Sequence, residues 1–387
     1  MSYFYVPKNY TNLSNNFIFE PRKNDSESEN QTLTTYESKI EKLKFENKLI
    51  WNIYKEEYFY YKKVFNVIFE NNDKSITTFN AIHRSFYIIL ELNNIFNFME
   101  KYNDTPQIDT FHFSKSQSGV VQYLNSKRNQ MNDRHVCIYC DEWEKNTDYL
   151  RKHHNLYFDS CISYNFISTD AVNYFNTHYS RKFDLITFLA NEELDDLKKT
   201  LPLLSEKDYI IVKIIYSLII QKKGGTLIFS IPDLFDETYY ELLYILSSCY
   251  NKVVITKPVL VENTNNRKII ICSNYNERYN ESELLNFAHV IINNILTRKV
   301  NTNITHLLDS MIPSFFLNKL REINIIMFQQ TINATLSVIN MKSSTNIREK
   351  LEKLNKKSLQ KSVFWCVQNN FEYDTSVLEK YDSFISR

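Results

Sequence analysis

The chain has 387 residues, 43% hydrophobic and 15% aromatic, enough to bury a sizeable core in one large domain with appendages or in two domains. A net charge of +1 excludes nucleic-acid binding by bulk electrostatics, so such a contact needs a local patch. The absence of any run of about 18 apolar residues excludes a membrane-spanning helix; "MSYFYVPKNY" lacks the features of a secretory leader; and six cysteines without a framework fit a reducing, cytoplasmic compartment.

Residues 1–35 are polar and irregular, with "RKNDSESENQ" reading as a flexible tail. From Tyr36 to about Glu70 the spacing of Ile40, Leu43, Ile50, Ile53 and Tyr54 predicts helix, and a second helix is predicted over Thr78–Lys101. Residues 36–104 thus form an N-terminal helical segment. The lysine-interleaved aromatics of "EEYFYYKKVF" are read as core, the commoner role of aromatic stripes on helices, rather than as a base-stacking surface.

The next segment, 105–278, changes character. "HVCIYC", "FDLITFLA", "TLIFSI", "KVVIT" and "KIIICS" are short, continuously apolar, β-branched runs suited to strands buried on both faces. Between them lies a helix predicted to start at the N-cap Ser205, with Asp208 three residues on, and to stop at Gly224. "FDETYYELLYILSSCY" is a further helix. Alternation of this kind predicts an α/β class, a doubly wound Rossmann-like sheet. The runs at 252–256 and 267–273 leave no room for a crossover helix and should pair as an antiparallel edge hairpin. Residues 279–387 read as a helical extension.

Three motifs need weighing. Cys137 and Cys140 have C-x-x-C spacing, but His153 and His154 are adjacent, His135 is too close to Cys137, and Cys161 would be a distant fourth ligand; no metal site is expected. "HVCIYC" is better explained as a strand with packed cysteines. Lys350, Lys353, Lys357 and Lys361 recur at helical spacing, which suits either an RNA phosphate track or a solvated face beside Glu349 and Glu352; the solvated face is the more frequent outcome. No Walker-type phosphate loop is present.

One stretch carries a resemblance. "KKGGTLIFSIPDLFDETYYELLYILSSCYNKVVITKP…NNRKIIICSNY" has a Gly-Gly before a strand, a Phe-Asp opening a helix and a Lys-Pro closing the next strand. In this it resembles FtsJ/RrmJ-type ribose 2'-O-methyltransferases, above all those of large cytoplasmic DNA viruses. The match covers Phe183–Tyr275 and is weaker before it. The glycines, only three in the chain, fall at family landmarks: Gly119 in the cofactor turn, and Gly224 and Gly225 before the tetrad strand.

The resemblance implies a methyltransferase core and the cofactor S-adenosylmethionine. It also implies a Lys-Asp-Lys-Glu tetrad, in which a lysine of lowered pKa deprotonates the ribose hydroxyl. The matching positions here are Ile88, Leu189, Ser230 and Lys268, and none retains the family's group. Gly119, Asp141 and Asp170 match cofactor-contacting positions, a vestigial site on which no cofactor is required. The expectation is therefore a pseudo-methyltransferase. It is similar in kind to the small regulatory subunit of the poxvirus capping enzyme and acts with a protein partner: a capping or transcription enzyme, or a virion component. The expected location is host cytoplasm or virion. Two alternatives are an active cap 2'-O-methyltransferase and a virion structural protein.

Overall fold

The computed structural model describes residues 2–13, 18–21, 31–68, 75–113, 118–128, 132–138, 156–159, 166–189, 201–298, 302–343 and 346–376. Asp141, Cys140, His153, His154 and Cys161 fall outside them.

The strands are β1 (Ser2–Tyr5), β2 (Ile18–Pro21), β3 (Asp109–His112), β4 (Arg134–Ile138), β5 (Leu156–Asp159), β6 (Phe183–Phe188), β7 (Gln221–Ile231), β8 (Tyr250–Lys257), β9 (Lys268–Tyr275) and β10 (Thr302–His306). The α-helices are α1 (Gln31–Glu46), α2 (Lys48–Tyr54), α3 (Ser85–Phe96), α4 (Ser118–Lys127), α5 (Thr169–Tyr179), α6 (Glu206–Ile220), α7 (Glu237–Cys249), α8 (Glu281–Leu296), α9 (Ser314–Ile339) and α10 (Ile347–Gln368).

Eight strands form one sheet in the order β1-β8-β9-β7-β6-β3-β4-β5. β3 is parallel to β4 and β6, β4 to β5 and β6 to β7, whereas β9 runs antiparallel to both β7 and β8. The chain winds outward from β3 to β5, then returns to add β6 on the other side of β3. This is a doubly wound, Rossmann-like sheet closed by a reversed strand, as the strand order establishes. β6 is buried at every position, as its unbroken apolar run requires.

Alternation divides each strand between two cores. Phe111, Ile186, Phe229, Ile255 and Ile270 face a cluster fed by α5–α9. Leu185, Ile228, Val254, Ile269 and Ile271 face a second cluster with α3, α4 and Trp365 of α10. Trp365 is tied down by its indole N–H, which donates to Glu91 Oε2 of α3 at 3.2 Å. The helices before and after the sheet also pack together, with Tyr58, Val338, Met341 and Leu354 in one cluster beside Trp51.

Several expectations are corrected. Of the flexible tail expected over 1–35, Ser2–Tyr5 instead forms β1, antiparallel to β8, and Ile18–Pro21 forms β2, antiparallel to β10, while 22–30, most of the "RKNDSESENQ" run, lie outside the described residues. The β8–β9 hairpin is antiparallel as expected, but β1 lies outside it. The helix at 78–101 is confined to Ser85–Phe96, because Asn97 turns left-handed at φ 49° and its N–H closes on Asn93 O. The helix from Ser205 ends at Ile220, before Gly224. Gln221 already belongs to β7 and pairs with Phe183, while Thr226 pairs with Leu185, so 222–225 bulge from the ladder. Gly224 sits in that bulge at φ 77°, the conformation only glycine adopts without strain. β5 was not anticipated at all.

Candidate functional site

In doubly wound sheets, ligands bind beyond the carboxyl ends of the parallel strands, where the winding reverses. Here that rim lies between β3 and β6. Ser118 and Gly119 open α4 just after β3. Gly119 is required by packing: a Cβ would lie 2.6 Å from His83 O and Phe86 N, so its missing side chain lets α4 meet the start of α3. The Ser118 hydroxyl is buried and has no hydrogen-bond partner among the described residues. Asp170 is exposed in the first turn of α5, behind the N-cap Ser168, whose Oγ accepts from Ala171 N at 3.1 Å.

Of the tetrad-matching positions, Ser230 and Leu189 meet, in a closed arrangement. Ser230 Oγ donates to Leu189 O at 2.8 Å and accepts from Arg267 Nη1 at 3.1 Å. Arg267 Nη2 in turn reaches Glu206 Oε1 at 3.1 Å. Leu189 is buried in the second core, and Ile88, half-buried, packs against that same core. Ser230 pairs with Ile269 and Lys268 with Ile231, so strand alternation sends the Ser230 and Lys268 side chains to opposite faces. The Lys268 ammonium donates to Asn266 O at 3.1 Å and Asn266 Oδ1 at 3.2 Å. Arg267 is therefore the residue that completes the Ser230 cluster. Only the pairing of Ser230 with Ile269 shows that Arg267, two residues before Ile269, shares its face.

Two other lysines lie at the opposite end of β7 from Ser230. Lys222 pairs with Asp184 at 3.0 Å, at the amino end of β7. Lys101 is there too, donating to Gly224 O at 2.5 Å and Thr226 Oγ1 at 2.9 Å; burial lowers its pKa to about 8. Lys257 ends β8 and would follow in register with Lys268. Burial, then the neighbouring Lys268 charge, then that of Lys44, bring its pKa down to about 7. Its ammonium donates to Asn263 O at 3.2 Å, to Asn265 O and to Thr331 Oγ1 at 3.3 Å.

The cysteine stretch has no ligating geometry among the described residues. Cys137 is fully buried and burial pushes its thiol well up. His135 Nδ1 shares a hydrogen bond of 2.8 Å with Thr110 Oγ1, which also meets His112 Nε2 at 2.8 Å, while His112 Nδ1 meets Thr187 Oγ1 at 2.7 Å. This chain satisfies buried polar groups inside the sheet, and burial with the adjacent His135 holds His112 neutral. No group of three or more His, Cys, Asp or Glu among the described residues could hold a metal. No helix among them is long and apolar enough to cross a membrane.

On α10, Lys353, Lys357 and Lys361 share an exposed face with Lys356, Gln360 and Phe364. Lys350 is half-buried and does not line that depression. Lys356 belongs to it, although a strict four-residue spacing misses it. Lys353 pairs with Glu349 at 2.6 Å, which holds the Glu349 carboxyl below its usual range.

No family model matches the chain, and no curated protein matches it. Among solved structures it is similar to several methyltransferases. One is the CurJ carbon methyltransferase, at 13% identity and TM-score 0.34, over 49% of this chain and 54% of that one. Another is a putative ribosomal RNA methyltransferase from Plasmodium falciparum, at 18% identity and TM-score 0.31, over 50% and 97%. A third is human methyltransferase-like protein 13 in complex with SAH, at 13% identity and TM-score 0.30, over 59% and 95%. The chain thus spans about half the length of the first.

Proposed function

We propose that this protein is a non-catalytic, FtsJ-like methyltransferase-fold subunit of a viral mRNA capping or transcription complex, with a regulatory or structural role. One observation carries the reading. Of the positions matched to the catalytic tetrad, Ser230, Leu189 and Ile88 offer no base for a ribose proton, and the fourth, Lys268, faces away from Ser230 with its ammonium donating to Asn266. Ser230 gives its own proton to Leu189 O and is held by an arginine, while Leu189 and Ile88 are apolar. A neutral hydroxyl that accepts from a guanidinium does not have the pKa of a general base.

Binding of S-adenosylmethionine is a separate matter. The orphaned Ser118 hydroxyl at the amino end of α4 fits an anionic group such as that cofactor's carboxylate. When bound, the cofactor would supply an electrophilic methyl group; this chain's residues would hold it without activating a nucleophile. Calorimetry with S-adenosylmethionine followed by methyl transfer to capped RNA tests the proposal. Binding with no transfer, or no binding, is expected; turnover by the purified chain overturns it. Recovery from infected cells with a capping or transcription enzyme is the expected partner result, and recovery with capsid proteins alone would favour the virion reading.

One observation favours the alternative of an active S-adenosylmethionine-dependent cap 2'-O-methyltransferase. Lys257 has a pKa of about 7, so much of it is a free amine near neutral pH. Turnover that disappears in Lys257→Met would select that reading.

A further inference from the structure

Two depressions meet on the outer side of the helical layer. The first, of about 520 Å³, is lined by Lys353, Lys356, Lys357, Gln360, Lys361 and Phe364. The second, of about 440 Å³, shares Lys357 and Lys361 and continues onto Tyr60, Tyr61, Lys257 and Asn263. Five lysines line the pair and no carboxylate does. Burial lowers the Lys257 pKa to about 7 and Lys353 pairs with Glu349, so in a chain of net charge +1 the local concentration of one sign is carried by Lys356, Lys357 and Lys361. The lysines between positions 353 and 361 follow one side of α10 for about 12 Å.

Aromatic rings are placed among these charges. Lys357 Nζ lies 4.4 Å from the centre of the Tyr60 ring. Tyr60 is fixed to α10 by its carbonyl, which accepts from Ser358 Oγ at 3.0 Å and Ser362 Oγ at 3.3 Å. Phe364 leaves 52% of its surface open at the far end. One side of Tyr60 packs against the cluster of Tyr58, Val338, Met341 and Leu354, but a solvated helix face needs only lysines and gains nothing from the exposed phenyl ring of Phe364. Basic side chains interleaved with accessible rings are what an unpaired polynucleotide uses: phosphates meet the ammonium groups and bases stack on the rings.

We propose that this groove binds single-stranded nucleic acid, with phosphates along Lys353, Lys356, Lys357 and Lys361 and bases against Tyr60, Tyr61 and Phe364. A duplex hides the faces of its bases, and an acidic peptide has none, so both should bind less well. The proposal does not depend on whether the rim transfers methyl groups, and its test contains no transfer step.

Fluorescence anisotropy of the full chain with labelled RNA and DNA strands of about 12 nucleotides provides that test. Each strand is also titrated annealed to its complement, with polyglutamate as a competitor. Tight binding of at least one single strand is expected, at least tenfold tighter than of its duplex, with a log–log salt slope of about −3 for four phosphate contacts. Lys357→Glu/Lys361→Glu should weaken binding more than tenfold. Lys42→Glu/Lys319→Glu, the same charge change elsewhere, should weaken it less than threefold. Phe364→Ala should lower affinity severalfold with the slope unchanged, the signature of lost stacking. Melting temperatures keep loss of fold apart from loss of contact, and Phe364→Tyr, which retains the stacking face, should bind like the unaltered chain. Equal binding of duplex, displacement by equimolar polyglutamate, or full affinity in Lys357→Glu/Lys361→Glu would overturn the proposal.

Discussion

The rim of the sheet and the face of α10 are both rich in polar side chains, yet they differ in what those side chains are left to do. At the rim, Ser230, Leu189 O, Arg267 and Glu206 satisfy one another in a chain. On α10, Lys356, Lys357 and Lys361 stand exposed around a depression with no carboxylate lining it. The lesson is that the fold's usual site and this molecule's most available chemistry are in different places. Hydrogen bonding that closes on itself holds structure in place. Charge that stays open can hold a ligand.

That contrast can be broken at its closed end first. Arg128 and Asp133 are a buried pair near the start of β4, with Nε–Oδ2 at 2.6 Å, and Asp133 also accepts from Ile108 N at 2.9 Å. Asp133→Ala leaves a buried guanidinium unpaired and should cost about 3–5 kcal/mol, read by urea denaturation. Lys257→Met should come next. The folded chain sheds the Lys257 proton near pH 7, whereas the unfolded chain keeps it to about 10.5. This contribution therefore makes stability rise from about pH 7 to 10.5, with no further change below that window. Lys257→Met should flatten the rise in melting temperature and stabilise the protein at neutral pH. Ser230→Ala should cost about 1 kcal/mol, one ordinary hydrogen-bond network member, read by urea denaturation. The smallest effect is expected at the open end. Phe364→Ala should change stability by less than about 0.5 kcal/mol, and a larger loss would mean that the ring is part of the core.

Much of the fold was legible because its signals are local. Ser205 and Asp208 spell a capping box, and both halves of it form. The apolar run of β6 needs two covered faces and has them. What escaped was set by distant partners. Ser2–Tyr5 looks like tail because nothing nearby pairs with it; its partner is β8. Gly224 looks like a helix stop, but the register of β6 against β7 makes it a bulge. At the candidate site, the identities of Leu189 and Ser230 were readable. Arg267 was not, because only the β7–β9 register reveals which face it shares. The lysines of α10 were visible as a stripe; that Tyr60 sits under them depends on folding the two ends of the chain together.

The position of β1 also bears on how the molecule is assembled. Ser2 pairs with Lys257 and Tyr5 with Val254, so the outermost ladder joins segments separated by most of the chain. Such a pairing pays its loop-closure entropy late, after the interior strands have made their nearer contacts. Until then β8 presents a row of unbonded amides and carbonyls, the kind of edge on which chains stick to one another. The first few residues thus act as a seal against self-association, fitted when the rest of the sheet is already built.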